Sequence, residues 1–255
     1  MKTSSKIIEF SLTENSKINI TITKKRMKNI RLSISKLGKV SISMPYQTSY
    51  AYAYEFLERK RDWIISQLEK INSIIEKDSC KFINNGNVFL LGKNFPLKLE
   101  ISTKNKVIFE SYNTSTEINN SCQISNNHFL IQTQNDSENY VKQIFIKWCK
   151  KYFLNFFTNR LKFIYNQMFN DSNYPSIKIK TMKSMWGNCN YTKRIITFNL
   201  FLAKTHIECI DYVITHELSH LIHHNHGKEF HSLMTTLIPN WKTRKKSLKE
   251  YSLTF

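Results

Sequence analysis

Residues 205–230 read THIECIDYVITHELSHLIHHNHGKEF, and the organisation of the whole chain hangs on this stretch. Ile207, Ile210, Val213 and Ile214 recur at three and four, the spacing of one helical face. Thr205 with Glu208 three residues later has the form of a capping box, which predicts a helix starting at Thr205. The run His216-Glu217-Leu218-Ser219-His220 then lies well inside that helix. At about 100° per residue, His216 and His220 point to one side a turn apart, as two nitrogen ligands of a tetrahedral metal must. Glu217 flanks them, able to reach a water without binding the metal. Five of the eight histidines fall between His216 and His226. Histidine is a poor core filler and a poor helix former, so a metal site explains the cluster where packing does not.

The third ligand is His226 or His223. His223 stays on the same face only if the helix continues, and three ligands along one straight helix reach a single ion poorly. His226, ten residues from His216, requires the helix to end and turn, and Asn225 and Gly227 can take the left-handed conformation that such a turn uses. His226 is favoured, with His223 as the alternative or as a neighbouring group, and His224 and His231 are expected at the surface. Three histidines leave a fourth position open, which is the arrangement of a catalytic zinc. One zinc ion is expected, chosen because three imidazoles and an activating glutamate suit it. It would activate water and polarise a carbonyl while Glu217 moves the proton, and hydrolysis of a peptide is the natural reaction. Another amide or an ester fits the same groups. The strand RIITFNL (194–200) is expected to offer an edge to an extended peptide. Tyr191, Tyr212 and His223 are candidates by residue type for stabilising an oxyanion.

Outward from this stretch the chain reads as α+β. From residue 6 to 44 the chain reads as short strands, IIEFSL, KINITIT, NIRLSIS and KVSISMP, with Leu37-Gly38 as the turn between the last two. One long amphipathic helix is expected from Thr48 and Ser49 through AYAYEFLERKRDWIISQLEKINSIIEK, burying Phe56, Trp63, Ile64, Leu68, Ile71 and Ile75. Strands VFLLG, FPLKLEI, KVIFE and HFLIQT follow, with a long polar loop over 112–127. A second long helix begins at Ser137 with the stripe Val141, Ile144, Phe145, Trp148, Tyr152 and Phe156. SIKIKT and RIITFNL then read as two strands separated by a loop around MWGNC, and a last helix runs from Lys228 to Leu237, ended by Pro239, with a basic tail KTRKKSLKEY. Two regions result, 1–135 and 136–255, unless one domain runs from about residue 20 to 245.

The 255 residues are 41% hydrophobic, enough for a proper core. No stretch has the roughly 18 to 20 apolar residues of a membrane span, so a soluble protein with no membrane partner is expected. Cys80, Cys122, Cys149, Cys189 and Cys209 are scattered and odd in number, which suits reduced thiols in the cytoplasm and gives no ribbon-type zinc site. A net charge of +19 makes nucleic acid a conceivable partner through runs such as Arg59 to Arg61 and Lys147 to Lys151, although a lysine-rich composition produces the same charge without such a role.

NIRLSISKLGKVSISMP, RKRDWIISQL, VFLLGKNFPLKL, IKWCKKYF, MKSMWGNC, ITFNLFLA and CIDYVITHELSHLIHHNHGKEFHSLM together resemble the YgjP-like metal-dependent hydrolases, which are similar to SprT-type and other zinc peptidases. The resemblance implies a zincin-like catalytic region with the H-E-x-x-H helix beside a small sheet, His216, His220 and His226 as ligands and Glu217 as catalytic residue. By analogy with SprT-type proteases it also suggests processing of proteins on nucleic acid. Trp186, Gly187, Cys189 and Asn199 match the family pattern and are expected to pack beside the helix. Met185 stands where the family usually has a basic residue, and Asn188 where it usually has serine.

Overall fold

The computed structural model describes residues 4–110 and 127–255. The polar loop expected over 112–127 falls outside them apart from Asn127, as does Cys122. The described residues are mixed α+β, with six α-helices and three small sheets. None of these helices is long and apolar enough to cross a membrane. Contacts divide the chain into two compact units, Met1–Lys77 with Ser252–Thr254, and Asp78–Tyr251 with Phe255. The division falls earlier than residue 135 because the second sheet packs on the helix that follows it: Phe129 lies 5.6 Å from Phe145 and 5.4 Å from Trp148, ring to ring.

In the first unit, β1 (Ser4–Thr13), β2 (Ser16–Lys24), β3 (Arg31–Ile34) and β4 (Val40–Met44) form a sheet in the order β1-β2-β4-β3. Alternation in the sequence becomes alternation in burial: Ile8, Phe10, Leu12, Ile20, Ile22, Val40, Ile42 and Met44 all face the core. Gly38 turns the β3–β4 hairpin at φ 74°, a value that favours glycine. The expected single helix is two, α1 (Tyr50–Arg59) and α2 (Arg61–Lys77). Ser49 caps the first by accepting from the Tyr52 N–H, and the Lys60 N–H turns back to the Leu57 carbonyl at the break. The five residues Glu58–Asp62 are all charged, so no apolar side chain anchors the chain between Leu57 and Trp63. Each helix therefore follows its own contacts. Ala53, Leu57 and Ile64 are buried, while Trp63, expected inside, is 46% exposed.

In the second unit, β5 (Gly86–Leu90), β6 (Lys93–Ile101), β7 (Lys106–Glu110) and β8 (His128–Thr133) are ordered β5-β6-β8-β7. They are followed by α3 (Glu138–Met168). Its buried row is Val141, Phe145, Cys149, Phe153, Phe157 and Leu161, every fourth residue, in place of the expected stripe through Trp148 and Tyr152. A row at i+4 drifts by about 40° per step around the helix. That drift lets α3 meet one sheet through Phe145 on Phe129 and the other through Phe157 on Phe198.

The other sheet comprises β9 (Ser176–Lys180), β10 (Gly187–Asn190) and β11 (Ile195–Asn199) in the order β10-β11-β9. Two expectations change here. The segment read as a loop around MWGNC contains β10, and β11, expected to offer an edge, is the central strand and has both sides paired. A 3-10 turn (Leu200–Lys204) leads into α4 (Ile207–Ser219), followed by α5 (Lys228–Leu237) and α6 (Trp241–Ser247), the last a helix where a basic tail was expected.

The approach to α4 is held by a buried ion pair. Lys204, fully buried, places its Nζ 2.8 Å from Asp78 Oδ2. Burial lowers the pKa of Lys204 against the opposing pull of Asp78. Removing one partner strands the other charge in a dry interior. Asp78→Asn is therefore expected to cost about 3–5 kcal/mol in urea unfolding, whereas a loss below about 1 kcal/mol would mean that water reaches the pair.

Candidate metal centre

Helix α4 does not start with the capping box. Its N-cap is His206, and the Thr205 hydroxyl donates backwards to the Leu202 carbonyl at 2.9 Å, closing the preceding turn. Local competition for the hydroxyl explains the one-residue shift. The backbone carbonyls of Ala203 and Lys204 accept from Leu91 and Gly92 at 2.8 Å each, so the β5–β6 turn clamps the start of the helix. A Cβ at Gly92 would lie 2.2 Å from the His206 ring, which leaves room there for glycine alone.

The helix ends at Ser219 with His220 as its C-cap, so His223 is carried off the face that holds His216 and His220. The chain then returns through Asn225. Neither Asn225 nor Gly227 takes the left-handed conformation expected of them: Gly227 is extended at φ −72°. The turn is made instead by the Asn225 side chain, whose Oδ1 accepts from the Gly227 N–H at 3.1 Å.

This turn brings His226 to the pair on α4. Nitrogens of His216, His220 and His226 lie within 4.8 Å of one another, and the Nε2 atoms of His216 and His226 are 3.1 Å apart. Phe230, four residues after His226 and 1% exposed, lies under all three rings at 4.8–5.0 Å. The tautomer of His220 is fixed by its neighbour: its Nδ1 is 3.1 Å from the His223 carbonyl, which can only accept, so Nδ1 carries the hydrogen and Nε2 keeps a lone pair. Burial lowers the pKa of all three, with His216 taken down to about 3 by burial and then by its two histidine neighbours. The rings are neutral at pH 7, as ligands must be.

Glu217 is 5% exposed, and burial pushes its carboxyl up to about 8 against one backbone N–H, from Cys189. The strand β10 lies directly on it. A Cβ at Gly187 would come within 2.6 Å of Glu217 Oε1 and 2.8 Å of its Cγ, so the absence of a side chain there is what lets the carboxylate sit where it does. Asn199 sets the position of β10: its Nδ2 donates to the carbonyls of Met182 and Met185 at 2.7 and 2.8 Å, and its own N–H donates to the Trp186 carbonyl at 2.8 Å. Met185 takes part through its backbone, while its side chain, 44% exposed, points to solvent, and Asn188 is likewise exposed. Burial, then the Glu217 charge, raises the Cys189 thiol to about 11, which suits a packing role and not a nucleophile.

Of the remaining candidates, Tyr212 is buried with its ring 5.8 Å from that of His216. Tyr191 is exposed and stacks on His224 at 3.8 Å. His223 lies 3.6 Å from Glu229. His224 and His231 are at the surface. Phe230 and the backbone of β10 went unread in the sequence. The i+4 spacing from His226 was the available signal for Phe230, and β10 had none, because GNCN alternates no apolar residues.

The donor set fits a tetrahedral zinc. With Zn–N bonds of about 2.0–2.1 Å, ligating nitrogens sit roughly 3.4 Å apart, and the Nε2 atoms of His216 and His226 are at 3.1 Å, with all three nitrogens within 4.8 Å. Residues 28–251 match the family model described as YgjP-like, metallopeptidase domain. The chain belongs to the YgjP-like metallopeptidase family. Comparison with curated proteins finds no match. Membership in the YgjP-like family indicates a metal-dependent peptidase in general terms, and among the described residues the three histidines form a group that could hold a metal.

Two measurements probe this geometry in the metal-free protein. Gly187→Ala is expected to destabilise it by about 1–3 kcal/mol through overpacking. Most of that loss should disappear when Glu217→Ala is added, in a double-mutant cycle read by urea unfolding. The Glu217 pKa rises from 4.5 unfolded to about 8 folded. Stability from this group is therefore fully present below pH 4.5 and is lost as pH rises through about 8. Glu217→Gln removes that dependence, so its stability relative to wild type should grow steadily between those limits.

Proposed function

We propose that this YgjP-like protein is a zinc peptidase in which His216, His220 and His226 hold one zinc ion and Glu217 is the general base. The observation that carries the reading is the pairing of a buried carboxylate with three neutral imidazoles whose nitrogens lie within 4.8 Å of one another. A metal-free site of that composition is unfavourable, since burying a carboxylate without a cation is expensive, and a divalent ion beside it removes the cost. The H-E-x-x-H helix lying against β10 supports the zincin-like arrangement.

Zinc, when bound, supplies the Lewis acidity that polarises a carbonyl and makes a water acidic near neutral pH. The residues of the chain do the rest. Glu217 takes the proton from the attacking water and delivers it to the leaving nitrogen, a role open to a carboxylate that is held beside the metal ligands without being one of them. The Cys189 N–H and the close approach of Gly187 hold the carboxylate in one orientation. Tyr212, buried beside His216, is the best placed of the candidate hydroxyls to assist a developing oxyanion. The substrate is a peptide or an unfolded protein segment. With β11 paired on both sides, the sheet edge nearest Glu217 among the described residues belongs to β10, and an extended peptide adds a strand there with its scissile bond running past the carboxylate.

Glu217→Gln is expected to keep its zinc and its KM for an unstructured protein substrate while kcat falls by about 10²–10⁴. Near-wild-type cleavage by that variant would remove Glu217 from the mechanism.

A further inference from the structure

A second cavity, away from the three histidines, lies between α3, α4 and the link from α5 to α6. It has a volume of about 190 Å³, and its lining includes Arg160, Asp211 and Arg244 together with Ile164, Leu237 and Ile238. Sites for drug-sized ligands run to roughly 300–1,000 Å³, so this one takes a smaller molecule.

Its polar lining is donor-rich, with two guanidinium groups and one carboxylate. Arg160 gives Nε and Nη2 to Asp211 at 2.5 and 2.6 Å, which fully engages that carboxylate in a bidentate pair. Arg244 is left without an acidic partner among the described residues: its Nη1 reaches the Glu208 carbonyl at 3.5 Å, a long contact, and its Nε is buried with no hydrogen-bond partner. A guanidinium with no carboxylate partner keeps its outer N–H donors for an incoming carboxylate. The apolar residues in the same lining favour an anion that carries an apolar body over a fully hydrated one.

We propose that this cavity is a binding site for a small carboxylate carrying an apolar body, its carboxylate on Arg244 and its body against Ile164, Leu237 and Ile238. The site is distinct from the metal centre and does not depend on the peptidase reading. Two of its lining residues, Asp211 and Thr215, lie on α4, and Thr215 directly precedes His216, so a ligand here rests on the helix that carries the metal-binding residues.

Isothermal titration of the full-length zinc-loaded protein with phenylacetate, phenylacetamide and inorganic phosphate tests it. Phenylacetate should bind with Kd below about 1 mM, and the neutral amide and the phosphate should each bind at least about tenfold more weakly. Arg244→Gln should lose about tenfold in phenylacetate affinity. Leu237→Trp, which fills the cavity from its apolar lining and leaves every charge in place, should abolish binding. Melting temperatures of both variants report whether they fold. The proposal is overturned if phenylacetate fails to bind at about 10 mM, if the amide or phosphate binds as well as phenylacetate, or if folded Leu237→Trp binds like wild type.

Discussion

The walls of the candidate metal centre keep one carboxylate, Glu217, out of water. A carboxyl pushed up to about 8 by burial is a charge waiting for a cation, and the imidazoles beside it, pushed down the other way, are lone pairs waiting for the same ion. The two shifts have opposite signs and a common cause, removal of solvent. A divalent ion at the centre reverses both penalties at once, which is why metal binding and local folding are expected to be strongly coupled here.

Burial of that kind requires rigid walls. Beneath the histidines the wall is Phe230, in contact with all three rings. Above Glu217 it is the backbone of β10, brought within van der Waals reach because residue 187 has no side chain. Asn199 ties the segment before β10 to the end of β11, and the turn Leu91-Gly92 with the Lys204–Asp78 pair fixes where α4 begins. The long helix α3 backs the sheet through Phe157 on Phe198. Elements distant in sequence thus share one task, holding a carboxylate and three rings at fixed separations.

Much of this was legible beforehand where a pattern has one physical meaning. The strands of the first unit follow from alternation, α5 from Lys228 to Leu237 follows from its periodicity and Pro239, and the H-E-x-x-H spacing puts two histidines on one helical face. Where two local interactions compete, the sequence alone misleads. Thr205 had both a helix to cap and a turn to close, and it closes the turn. Asn225 had both a left-handed conformation and a side-chain bond available, and it takes the bond. Where the cause lies far away in sequence there was nothing to read. β10 exists because β11 offers it a partner, the break at Lys60 follows from what Leu57 and Ile64 pack against, and the rotating face of α3 follows from two sheets that it meets in turn.

The central claim is that three histidines, with His226 as the third, converge on one zinc ion. X-ray absorption at the zinc edge of the loaded protein tests it most directly. The account predicts three imidazole nitrogens at about 2.0–2.1 Å in wild type, reduced to two in His226→Ala and unchanged in His223→Ala. A wild-type site with fewer than three imidazoles, or a coordination shell that His223→Ala depletes and His226→Ala leaves intact, would contradict it.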